Sequence, residues 1–72
     1  MPTHVTNLAM HLQTIVLQRT NRSVWNLAVE VSPERVVLRG EANTFYAKQL
    51  AQESVRNLIP LMKLTNAIQV AA

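Results

Sequence analysis

A two-layer α+β sandwich, with two helices packed on one face of a three-stranded sheet in the order αββαβ, is the fold class this sequence predicts. Three observations predict it. Apolar residues alternate with period two in three stretches, Leu27-x-Val29-x-Val31, Val36-x-Leu38-x-Gly40-x-Ala42 and Leu64-x-Asn66-x-Ile68-x-Val70, the pattern of strands with one buried face. They recur with a period near 3.6 in two others, Val5 to Val16 and Ala47 to Leu58, the pattern of helices with one apolar stripe. Both stripes and one face of the sheet need cover, and two stacked layers supply it to all three.

The 72 residues suffice for a single domain spanning 1–72, and a chain this short buries only about 60% of the surface it exposes when unfolded. Cysteine is absent, so neither a disulfide nor a thiolate metal site can staple the fold. With 49% apolar residues and a single Phe, Tyr and Trp, the core must be aliphatic. The net charge is +3, from seven Lys and Arg against four Glu and no Asp. The cations Arg19, Arg22, Arg35, Arg39, Lys48, Arg56 and Lys63 are scattered, which implies modest attraction to anionic surfaces and lacks the dense basic track of a nucleic-acid arm. No basic segment leads into an apolar run at the start, and no stretch reaches the roughly 18 apolar residues of a membrane span. As written the chain reads as soluble and cytoplasmic, or as periplasmic or envelope-located if it is an excised domain.

The first helix is expected over residues 4–19, with Val5, Leu8, Ala9, Leu12, Ile15 and Val16 on one face and Thr3 as N-cap. Asn21, in the stretch Arg19 to Ser23, is the residue there best suited to the left-handed geometry that ends helices. Val24–Val31 and Arg35–Ala42 read as a hairpin turned by Pro33-Glu34. Pairing Val31 with Val36 puts Val29 opposite Leu38 and Leu27 opposite Gly40. Trp25 shares the parity of Leu27 and Val29 and so reads as core at the sheet margin. The other face carries Asn26, Ala28, Glu30, Val37, Arg39 and Glu41, with Glu30 and Arg39 as diagonal partners of opposite charge. Asn43-Thr44 opens the second helix, whose inward residues are Ala47, Leu50, Ala51, Ser54, Val55 and Leu58, and Pro60 stops it near Leu58. The third strand runs from about Met62 to Val70, beside either of the others. Its inward Asn66 would cost about 1 to 3 kcal/mol if unpaired, so it should bond to backbone, in the Leu58 to Leu61 turn or on the neighbouring strand.

These three strand patterns, together with the helical segment Lys48-Gln49-Leu50-Ala51-Gln52-Glu53-Ser54-Val55, resemble the BON domain family over nearly the whole chain. The resemblance rests on a strand ending Leu38-x-Gly40 and a last strand with an inward Asn66, which together form the structural signature. Where the family usually has a Gly-Val pair before the last strand, this chain reads Leu58-Ile59-Pro60-Leu61, and the hairpin lacks the usual glycine near Glu34. The resemblance implies a non-enzymatic module of bacterial envelope and stress proteins that contacts phospholipid membranes or protein partners, with no cofactor.

The residues available for chemistry agree with that expectation. His4 and His11 are seven apart, a helical rise of about 10 Å, too far to chelate one metal unaided. A Ser-His-acid site would have to use Glu, and no Gly-x-Ser-x-Gly elbow presents a nucleophile. One glycine cannot build a phosphate loop. The basic pI near 10.2 and the element order suit a KH-like RNA binder, but the Gly-x-x-Gly clamp of that module is missing.

Binding is therefore expected on the outer faces. Met10 and Leu17 lie seven apart on the first helix, nearly opposite its buried stripe, and Phe45 and Tyr46 fall off the inward face of the second. They are either scattered surface hydrophobes, the aromatics stapling the helix start, or an apolar contact surface flanked by Arg19, Arg22 and Lys48, suited to an anionic membrane interface or to self-association. The last strand offers an edge to a partner strand unless Lys63, Gln69 and the chain end protect it. Phospholipid surfaces or envelope and stress proteins are the expected partners; the alternative is a homo-oligomerising or scaffolding module without lipid affinity.

Overall fold

The computed structural model describes the backbone of residues 3–71 and side chains from residue 8 onward to 71. Five elements follow in the order α1 (Thr3–Arg19), β1 (Val24–Val31), β2 (Arg35–Ala42), α2 (Phe45–Arg56) and β3 (Lys63–Val70). The α+β class and the αββαβ order are those the sequence predicts. The N-cap at Thr3, the inward placing of Val5 and the His4 member of the histidine pair fall outside the described side chains.

α1 ends where Asn21 is. Both Asn21 and Arg22 take positive φ, 52° and 62°, and the Arg22 N–H donates to the Leu17 carbonyl at 3.1 Å while the Asn21 N–H donates to that of Gln18 at 3.2 Å. This pair of bonds is a Schellman closure, which satisfies the last carbonyls of a helix. A non-glycine residue pays about 1 kcal/mol or more for that backbone geometry, so Arg22 is held there by the bonds around it. α2 begins at Thr44, whose Oγ1 accepts the Ala47 N–H at 3.1 Å, satisfying one of the donors a helix start leaves open. It ends two residues earlier than the apolar pattern suggests. The Leu58 and Ile59 amides both turn back to the Val55 carbonyl, at 3.0 and 3.1 Å, so Ile59 packs on the core. Leu58 is left 47% exposed instead of inward.

The sheet order is β1-β2-β3, with β1 antiparallel and β3 parallel to β2. The third strand therefore lies beside the second. Val31 pairs with Val36 and Val29 with Leu38, as the alternation requires, but the register shifts between Ala28 and Trp25. Asn26 and Leu27 together stand where one residue would face Gly40, a β-bulge with Asn26 at φ 52°. The expected one-to-one match of Leu27 with Gly40 is thus replaced by two against one, and the parity of the strand inverts upstream. Val24 becomes a core residue at 1% exposure, while Trp25 pairs with Glu41 and is only half-buried, which corrects its expected place in the core.

The bulge also explains the glycine. Gly40 has φ 153°, and a Cβ there would meet the Trp25 carbonyl oxygen at 2.9 Å and the Leu27 Cα at 3.2 Å. Backbone cannot move aside as a flexible side chain can. On the uncovered sheet face, the Asn26 Nδ2 donates to Glu41 at 3.0 Å, and Arg39 bonds Glu30 at 2.7 Å, the diagonal pair read from the alternation. Both of those side chains are 57% exposed, so the ion pair contributes well under about 1 kcal/mol.

The core lies between the layers: Leu12 and Val16 of α1, Val24, Val36, Leu38, Ala42 and Ile68 of the sheet, and Ala47, Ala51 and Val55 of α2. The alanines keep α2 close to the sheet. Buried Thr20 and Ser54 satisfy their hydroxyls on the Val16 and Ala51 carbonyls at 2.7 and 2.9 Å. Among the described residues no helix is long and apolar enough to cross a membrane.

Gly40→Ala is expected to lower unfolding stability by about 2 kcal/mol or more, from the close approach and the backbone geometry together. Urea denaturation of the variant beside Ala28→Gly, an exposed change on the partner strand, measures it.

Candidate functional site

The backbone connections gather the candidate residues at one end of the sandwich. The Asn43 N–H donates to the Ser23 carbonyl at 3.0 Å, and the Ala71 N–H to that of Ala42 at 2.8 Å. The first bond sets the Asn21-Arg22 turn beside the start of α2, because Arg22 precedes Ser23 and Phe45 follows Asn43 by two residues. The second brings the end of β3 to the same place. Arg19, Arg22, Phe45, Tyr46 and Val70 thus share one pole, all exposed, with Phe45 at 68% and Tyr46 at 70%. The first turn of α2 holds no acidic residue, so its partial positive charge adds to the arginines.

The other two members of the expected surface stand differently. Lys48 is half-buried, a turn further along α2. Met10 is 61% exposed on α1, but Leu17 is half-buried and lines an open cleft of about 570 Å³ with Thr14, Gln18, Arg22, Val24 and Trp25. Trp25, which the bulge leaves half-buried, lines the same cleft. Met10 and Leu17 therefore do not form a continuous exposed stripe.

The opposite pole carries an apolar loop that periodicity could not assign. Leu61 is 98% exposed and follows Leu58 and Pro60. The Lys63 N–H donates to the Glu34 carbonyl at 3.1 Å, which puts the acidic residue of the hairpin turn at this end. Its signal in the sequence is a run of apolar residues around a proline with neither helix nor strand spacing.

Asn66 points inward and is bonded, but not where the alternation suggested. Its Nδ2 donates to the Lys48 carbonyl at 2.9 Å and to the Gln52 Oε1 at 3.3 Å, both on α2. Its Oδ1 accepts the Ile68 N–H at 3.2 Å. The partners are thus the helix above and its own strand, not the Leu58 to Leu61 turn or β2. An amide that joins two layers fixes α2 along β3, because a one-residue slip would remove the carbonyl it donates to.

Among the described residues no three His, Cys, Asp or Glu side chains come together as a metal cluster would require. Fold and surface define a small α+β module that offers a cationic, aromatic pole. The model of the BON domain matches residues 4–72, and the chain belongs to the BON domain family. That family is generally one of non-catalytic binding modules and is linked to phospholipid binding and osmotic stress. No curated protein and no solved structure matches the chain.

Asn66→Ala is expected to lower unfolding stability by about 1 to 3 kcal/mol while leaving the far-ultraviolet circular dichroism unchanged. In a double-mutant cycle with Gln52→Ala the two losses should fall short of additive, since the residues share a bond.

Proposed function

We propose that this chain binds anionic phospholipid surfaces through the pole formed by Arg19, Arg22, Phe45 and Tyr46. The observation that carries this reading is the Asn43 to Ser23 bond at 3.0 Å, which brings two arginines and two exposed aromatic rings from distant parts of the chain to one end. Rings of this kind settle at the depth of lipid headgroups, with their apolar bodies toward the acyl chains. Each guanidinium near the surface of an anionic leaflet contributes about 1 kcal/mol and can grip a phosphate with two parallel bonds. The net charge of +3 supplies attraction over longer range. The opposite pole has Leu61 as an apolar anchor beside Glu34, Arg35 and Lys63, and it has no aromatic ring to settle among headgroups.

The test is co-sedimentation with vesicles of phosphatidylglycerol and phosphatidylcholine against phosphatidylcholine alone. The parent should bind the anionic vesicles and release as salt is raised past the range where exposed charges are screened. Replacing both arginines, Arg19→Gln with Arg22→Gln, should weaken binding about 30-fold. Phe45→Ser with Tyr46→Ser should weaken it at both low and high salt. Equal retention on neutral vesicles, or no loss in either variant, would refute the reading.

A further inference from the structure

The two outer edges of the sheet are chemically unlike. On β1 the bulge at Asn26-Leu27 and the left-handed Asn26 interrupt the row of backbone groups, two devices that blunt an edge. β3 has neither. Its register against β2 runs from Arg35↔Lys63 to Ala42↔Val70 without a shift, and from Leu64 to Ala71 it carries no charged residue and no proline. No described residue pairs with its other side.

The free groups can be identified. The Lys63 N–H donates to Glu34 and the Ala71 N–H to Ala42, so the odd-numbered residues between them turn their N–H and C=O toward β2. Backbone direction alternates along a strand, which leaves the N–H and C=O of Leu64, Asn66, Ile68 and Val70 facing outward. One of these donors is occupied within the molecule, since the Ile68 N–H donates to the Asn66 Oδ1 at a long 3.2 Å.

We infer that β3 is a self-association edge, and that its occupant is β3 of a second copy, running antiparallel about a two-fold axis at Ala67. In that register Leu64 faces Val70 and Asn66 faces Ile68 of the other copy. Every outward donor meets an outward acceptor, which a two-fold contact requires of a single strand. Ala67 meets its own counterpart at the close spacing of a pair without mutual hydrogen bonds, where its small side chain fits. Lys63 falls opposite Ala71 and not opposite another lysine. Val70, 38% exposed in a single copy, gains Leu64 as cover. The Asn66 side chain must release the Ile68 amide for the pair to close, so the contact is weak and concentration-dependent.

Sedimentation equilibrium of the 72-residue chain from about 10 μM to about 1 mM, a range that brackets a weak dimer, reads the association directly. The mass should rise from that of a monomer toward that of a dimer. Thr65 and Gln69 lie exposed on the open face and face each other across the proposed axis, so charges placed there report the register. Thr65→Lys with Gln69→Lys should weaken association about tenfold or more at low salt, and Thr65→Lys with Gln69→Glu should restore or exceed the parent. Amide exchange gives a readout without substitution: Leu64, Asn66 and Val70 should gain protection with concentration, while Thr65, Ala67 and Gln69 stay protected throughout. A mass that remains monomeric at the highest concentration overturns the inference. So does a lysine pair that associates as well as the parent, a charge-matched pair no better than the lysine pair, or edge amides indifferent to concentration.

Discussion

The backbone of β1 presses on Gly40 so closely that one added methyl would meet a carbonyl oxygen at 2.9 Å, and much of the remaining structure depends on that contact. It accommodates the extra residue of the bulge. The bulge then decides which way β1 faces over its first residues, placing Val24 in the core and Trp25 at the mouth of the cleft beside α1. Beyond the bulge the antiparallel pairing carries on to the Asn43 to Ser23 bond, and through it the helix-ending turn of α1 meets the start of α2. A glycine in mid-strand thus sets the layout of a surface at the end of the sheet.

Asn66 plays the corresponding part between the layers. Aliphatic packing alone is tolerant, since Leu, Val and Ala can exchange partners with little loss. An amide that donates to one particular helical carbonyl is not, so the Lys48 and Asn66 bond gives α2 a register along β3. A short chain with no disulfide and few large side chains has limited means of enforcing one packing over its neighbours, and a directional bond from the sheet supplies one.

Most of the architecture could be read from alternation. The bounds of β1 and β2 fell where the period-two pattern begins and ends, and the closure of α1 at Asn21 followed from the residue near it best suited to left-handed geometry, although Arg22 adopts it as well. The bulge was hidden because Trp25, Leu27 and Val29 continue a regular alternation. Its traces were Val24 next to Trp25, which leaves two adjacent apolar residues to divide between two faces, and an Asn at the point where the parity breaks. The partner of Asn66 lies 18 residues away on another element, and no local pattern encodes a contact at that distance. Phe45 and Tyr46 could be recognised as outward from the helical wheel. Their nearness to Arg22 could not, because it depends on how two loops meet. Leu61 escaped for the opposite reason, since a loop imposes no period against which an exposed residue stands out.

The position of the aromatic pole, at the end of the sheet where β3 terminates, has a geometric consequence for any pair of copies joined along that strand. Antiparallel strands lay the head of one copy against the tail of the other. Each end of such a pair would combine Phe45, Tyr46 and the two arginines of one molecule with the Leu61 loop of its twin, and the two ends would point in opposite directions. If the aromatic pole holds lipid as proposed, such a pair would present one of these poles toward each of two opposed surfaces.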